Sequence, residues 1–251
     1  MKSIALLFIY ILVALFLQGC QSLAGAPKIE VIAQERSMVS NGELELLSSL
    51  DSLNLKELHL NFRVSNFELG EKTLSKRSEL LANSGAGQHI HVLLDDEPYM
   101  AKYETGFELQ LPEGSHTFLA FLSRSYHESV KTDHSYVIKE LTIGTEAQNS
   151  KQIDTKGVYY SRPKGSYNLD SDKSPILLDF FLVGTELKDG VKIRALIDGE
   201  EFILEKWTPY FIYGITEGVH SISLELIDQD GHWVMGKKNY SGERHFNVKF
   251  N

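Results

Sequence analysis

Two histidines one residue apart, His89 and His91, form the spacing in this chain most suited to chemistry. In a strand, side chains alternate between faces, so both imidazoles lie on one side. Such a pair suits Zn or Cu if a third ligand arrives. His127, or Glu128 beside it, supplies the candidate, within Ser123-Arg124-Ser125-Tyr126-His127-Glu128-Ser129. That run and Tyr160-Ser161-Arg162-Pro163-Lys164-Gly165 both set hydroxyls beside cations, which suits carboxylate or phosphate groups. Arg124, Tyr126, Arg162 and Lys164 are therefore candidate ligand-binding residues. Trp207, Pro209 and Tyr210, with Tyr99 and Tyr103, could make an aromatic platform on which a saccharide stacks. No Gly-x-Ser-x-Gly elbow occurs and no carboxylate pair stands out by spacing, so no residue argues for an enzyme.

The elements that would position these groups are strands. Alternating apolar runs bounded by Gly, Asp and Pro recur along the chain, and no long stretch has a 3.6-residue period. The pattern runs twice. Leu60–Val64 matches Leu178–Leu182, HIHVLLDDEPY (89–99) matches KIRALIDGEEF (192–202), and FELQLPEGSHTFLAFL (107–122) matches FIYGITEGVHSISLEL (211–226). Each half closes on an alternating run, Tyr136–Ile143 and His245–Phe250, and the first copy carries an insertion over Gly70–Gly87. Asp198-Gly199 between two apolar runs signals a two-residue hairpin turn. Short strands at this spacing predict an all-β fold of two tandem immunoglobulin-like antiparallel β-sandwich domains.

The copies differ on one face. In the second, Ile193, Ala195 and Ile197 point to a core and Lys192, Arg194 and Asp198 to water. The same frame makes Ile90, Val92, Phe118, Ala120 and Leu122 core in the first. It leaves His89, His91, Leu93, Leu119 and Phe121 outside. An outer face half apolar is either packed on by another part of the chain or is a partner surface. Leu119 and Phe121 join His89 and His91 as candidates on that second reading.

The amino terminus sets an address. Lys2 precedes an unbroken apolar run from Ile4 to Leu17, the pattern of a secretory signal and too short for a spanning helix. Leu17-Gln18-Gly19-Cys20 resembles the lipobox of bacterial lipoproteins, which implies lipid on Cys20 after cleavage before it. Cys20 is the single cysteine of the chain, so no intrachain disulfide is expected. Gln21 is not the Asp that retains such proteins at the inner membrane, which favours the outer membrane of the cell envelope. Loss of Lys2 takes the basic count from 25 to 24 against 34 acidic, moving the net charge from −9 to −10. Nucleic acid is therefore no natural partner. The expected organisation is signal peptide 1–19, lipidated tether 20–27, first sandwich 28–147, connector 148–174 and second sandwich 175–251.

The stretches GQHIHVLLDDEPY (87–99), FLSRSYHES (121–129), YYSRPKG (159–165) and WTPYFIYGITEG (207–218) resemble a group of uncharacterised bacterial lipoproteins with two tandem immunoglobulin-like repeats. The resemblance implies the fold and the anchor, and no activity or site residue. Three functions stay open: a non-catalytic envelope module binding a protein or saccharide, a Zn- or Cu-binding protein using His89, His91 and His127, and an envelope polysaccharide hydrolase.

Overall fold

A computed structural model describes residues 28–37, 41–48, 57–143, 155–236 and 238–251. Cys20, the signal peptide, the tether and the start of the expected connector lie outside the described residues. Among the described residues no helix is long and apolar enough to cross a membrane.

The chain begins with β1 (Glu30–Ala33) and then builds a first sandwich from β2 (Glu43–Leu46), β3 (Glu57–Ser65), β4 (His89–Leu94), β5 (Met100–Lys102), β6 (Gly106–Gln110), β7 (Gly114–Ser123) and β8 (Tyr136–Ile143). The second uses β9 (Gly157–Arg162), β10 (Gly165–Leu169), β11 (Ile176–Val183), β12 (Lys192–Ile197), β13 (Glu200–Leu204), β14 (Tyr210–Tyr213), β15 (Gly218–Ile227) and β16 (Arg244–Phe250). The first pairs sheets β2-β3-β6 and β5-β4-β7-β8; the second pairs β1-β14-β11-β9 and β10-β16-β15-β12-β13. Apart from β1 and β10 the two strand orders coincide, so both halves are sandwiches of the same topology. Pairing between these strands is antiparallel except for β10 on β16, and Gly157 of β9 makes an isolated parallel bridge to Lys238.

Alternation places the cores as the sequence predicts. Ile90, Val92, Phe118, Ala120 and Leu122 fill the first sandwich, and Ile193, Ala195, Ile197, Ile222 and Leu224 the second. Asp198 and Gly199 make the hairpin between β12 and β13 with φ of 49° and 83°, the positive values this two-residue turn requires. The repeated Glu-Gly-x-His is a structural staple. Asp95 accepts from His116 Nδ1 at 2.7 Å and from the Thr117 amide, and Asp198 does the same for His220, at 2.6 Å, and Ser221.

Two boundaries need correction. β1, expected in the first sandwich, pairs with β14 of the second, Glu30 opposite Tyr213 through Ala33 opposite Tyr210. The expected connector 148–174 contains β9 and β10, both strands of the second sandwich. All six residues of β9 are buried, so it lacks the alternation by which a half-exposed strand is recognised.

β9 and β11 are buried on both faces because the two sandwiches stack. In β11, Ile176, Leu178, Phe180 and Leu182 enter the second core, whereas Leu177, Asp179, Phe181 and Val183 turn toward the first sandwich. There Phe181 stacks on Phe121 with ring centroids 4.7 Å apart, in a layer with Leu93, Leu119, Tyr99 and Tyr159. Leu119 and Phe121 are completely buried in this layer. That corrects the partner-surface reading: the apolar outer face of the first copy is an intramolecular interface. In the second copy the equivalent face stays wet, with Arg194 and Lys192 paired to Glu225 and Glu205. The divergence of the two repeats is thus the difference between a covered sheet and an exposed one.

The insertion closes one rim. It carries α1 (Arg77–Leu80), and Leu81 after it packs with Tyr126, Leu177 and Phe211.

Candidate functional site

The polar end of the interdomain layer holds the histidines. The register of β4 on β7 sets His91 opposite Phe121 and His89 opposite Ser123, at the strand's end. Beyond Ser123 the chain reverses in a tight loop. The Arg124 amide donates to Glu128 O at 2.9 Å and the His127 amide to Arg124 O at 2.8 Å. His127 itself sits at φ 69°, a left-handed conformation uncommon for a side chain of this size. The loop brings His127 back over His89.

The three rings converge. His89 Nε2 lies 2.8 Å from His91 Nε2 and 3.2 Å from His127 Nδ1. His89 and His91 have no exposed surface and His127 has 9%. Among the described residues one other group, Asp228, Asp230 and His232, brings three ligand-type atoms as close, and it lies at the surface.

Neighbouring groups fix the donors. His89 Nδ1 is 2.8 Å from the Gly87 carbonyl, which can only accept, so Nδ1 carries the proton. In the neutral ring that leaves the Nε2 lone pair facing the cluster. His91 Nδ1 is held by Ser161 Oγ of β9 at 3.1 Å, a bond that crosses between the sandwiches. Tyr99 stacks on His91 at 3.6 Å between centroids, and its hydroxyl is 3.4 Å from His127 Nδ1.

Electrostatics keeps the rings neutral. Burial lowers His89 to about 4 and His127 to about 2, and Arg162 pushes both the same way. His91 is driven well below its ordinary value by burial, then by His89 and His127. Lys164 Nζ sits 4.2 Å from the Tyr99 ring centre and donates to the Tyr99 carbonyl at 2.6 Å; the Arg162 guanidinium lies 5.3 Å from the same ring.

Three neutral imidazole nitrogens gathered in one buried cluster form a donor set for Zn2+ or Cu2+ once the proton that His91 Nε2 gives to His89 Nε2 moves to His91 Nδ1, facing Ser161 Oγ. Bonds of about 2.0–2.1 Å in a tetrahedral site set ligand nitrogens about 3.3 Å apart, so the cluster needs a slight spreading to admit an ion. The second-sphere bond from a ligating imidazole's far nitrogen, here to Gly87 O, is a usual accompaniment of such sites.

The remaining candidates divide. Arg162 and Lys164 lie against the cluster's Tyr99 wall. Tyr126 does not join it: it packs at the far rim and hydrogen-bonds Ser37 Oγ at 2.6 Å. Arg124 lines a small recess with Arg36, Ser37 and Glu128, and Glu128 is taken by Arg77 and Ser37 rather than by the histidines. The aromatics that could have made a saccharide platform are dispersed as core and interface residues. Trp207 meets Phe181 edge-on at 5.2 Å, Tyr210 belongs to the second core, and Tyr99 lies on His91. Ser161 stands in a stretch singled out by its hydroxyls and cations, but its bond to His91, like the place of Tyr99 on that ring, depends on a contact between distant segments.

No protein-family model and no curated protein matches the chain. Among solved structures it is similar to fibronectin(III)-like modules of CbhA from Clostridium thermocellum, at 13% identity over 89% of this chain and 95% of that one, TM-score 0.29. It is similar to SGBP-B of the Bacteroides ovatus mixed-linkage glucan utilization locus, solved with a mixed-linkage heptasaccharide, at 11% identity over 82% and 47%, TM-score 0.24. An ice-binding, Ca2+-stabilized adhesin of an Antarctic bacterium follows at 10% over 86% and 50%, TM-score 0.22. The match spans about half of each of the latter two. At these scores the likenesses identify neither ligand nor activity.

Proposed function

We propose that this chain is a non-catalytic binding protein of the bacterial envelope, held at the membrane by lipid on Cys20, and that it binds Zn2+ or Cu2+ through His89, His91 and His127. The observation that carries the metal reading is the meeting of three uncharged ring nitrogens in a buried site, one with its tautomer set by the Gly87 carbonyl. Neutral imidazole is the ligating form. The address rests on the lipobox-like run ending at Cys20.

Untagged full-length protein, expressed with its leader, tests both parts. Elemental analysis and calorimetry should give one Zn or Cu per chain, lost in His91→Ala. Protein that takes up neither metal at neutral pH and micromolar concentration overturns the metal reading. Mass spectrometry should find the mature chain starting at an acylated Cys20; an intact peptide running through residue 20 overturns the anchor.

A further inference from the structure

Beside the histidines, between the sandwiches, lies a cavity of about 230 Å³. Pro98 and Tyr99 of the first sandwich form one wall, and Ser161, Lys164, Arg244 and His245 of the second form the other. Two of these residues also touch the histidines. Ser161 holds His91, and Tyr99 covers His91 and reaches His127.

Two of the cations here, Arg162 and Lys164, lack an ion-pair partner among the described residues. Arg162, 9% exposed, gives Nη1 to the Lys164 carbonyl and the Tyr167 hydroxyl, and its buried Nε has no hydrogen-bond partner. Burial and the neighbouring Arg162 both lower Lys164, as expected of two cations crowded without an anion. The buried carboxylate nearby, Asp179, is already held by Lys131 at 2.5 Å. Glu243 is an exposed carboxylate that also lines the cavity, 3.4 Å from His245, and it makes no ion pair with Lys164 or Arg162. Buried charges are ordinarily matched, so the buried Arg162 guanidinium behind the Tyr99 ring and the half-buried Lys164 ammonium in the cavity wall point to an anion supplied from outside.

We propose that this cavity binds a small free carboxylate, of acetate to short dicarboxylate size, drawn by Lys164 in its wall and by Arg162 behind the Tyr99 ring, and that its binding is coupled to metal in the adjoining histidine cluster. The coupling rests on the metal reading above; the anion site does not. A divalent ion on three uncharged ligands brings two more positive charges beside two unmatched cations. An anion in the cavity therefore favours the metal, and the metal favours the anion by the same factor.

Acetate titrated into untagged metal-free protein, with chloride at matched ionic strength as control, is the test. Acetate should bind saturably where chloride does not, with affinity falling about tenfold in Lys164→Gln and in Arg162→Gln, the order of one lost charge contact. Lys164→Gln carries the test if the more buried Arg162 variant does not fold. Zinc affinity should rise about tenfold at saturating acetate in the wild type and stay flat in Lys164→Gln. Acetate binding equal to chloride, or unchanged in Lys164→Gln, overturns the anion site and leaves the metal reading standing. Acetate binding with no zinc uptake retires the metal and the coupling, and keeps the anion site.

Discussion

Phe121→Ala measures the stacked interface directly. Phe121 is fully buried, and its contact with Phe181 is a parallel stack at 4.7 Å with planes 15° apart, each ring coming from a different sandwich. Truncating a buried phenylalanine costs about 3–5 kcal/mol, and a stacked aromatic pair adds a pairwise term of about 0.5–1.5 kcal/mol. Phe121→Ala and Phe181→Ala should each be strongly destabilising. The double variant should lose less than the sum, by that pairwise amount. Phe118 is the control: it lies on the same strand three residues before Phe121, and that odd spacing sends it into the first core. Phe118→Ala with Phe181→Ala should be additive within about 0.5 kcal/mol. Urea unfolding followed by tryptophan fluorescence suits the cycle, because Trp207 lies edge-on to Phe181 and reports on the same layer. Strict additivity of the 121/181 pair, or a Phe121→Ala cost below about 1 kcal/mol, would refute the stacking of the sandwiches.

Three further outcomes follow from named contacts. Metal-free protein should lose stability as pH falls below 6.5, because His89 is held at about 4 in the fold and the unfolded chain binds the proton first; the loss from His89 levels off near pH 4 at about 3 kcal/mol. A urea midpoint equal at pH 7 and pH 5 would contradict this. Asp179→Ala leaves Lys131 buried without its partner and should cost about 3–5 kcal/mol, whereas Asp179→Leu with Lys131→Met should be nearly neutral by the same denaturation assay. Gly87→Ala would set a methyl 2.2 Å from the Gly70 carbonyl oxygen at a φ of +86°. It should displace the carbonyl that orients His89 and weaken zinc binding about 10- to 100-fold in calorimetry.

The faces of β4 and β7 were legible because a strand period of two separates Ile90 and Val92 from His89 and His91 without knowledge of what lies opposite. Asp198-Gly199 was legible because two consecutive positive φ values demand particular residues. What covers the histidine face was not legible. β1 has four residues and one half-buried position, too little pattern to assign it to either sandwich. β9 is buried throughout, so it lacks alternation, and it sits in a stretch rich in Ser, Lys, Asp, Gly and Pro that reads as a connector. His127 could be named as a third donor from its type, but its place over His89 depends on a left-handed turn that no local residue preference announces. Ser161, which joins the sandwiches at His91, lies 70 residues away along the chain.

The strand β1 gives the molecule a second strap. The polypeptide leaves the β1–β14 edge of the second sandwich, builds the first from β2 to β8, and is back in the second at β9. A pair of domains on one linker can swing apart like a hinge; this pair is laced at two places. Ser37 is also pinned to Glu128 and Tyr126 of the first sandwich, tightening the lace. Parting the halves must therefore break the Ser37 pins as well as the stacked aromatic layer.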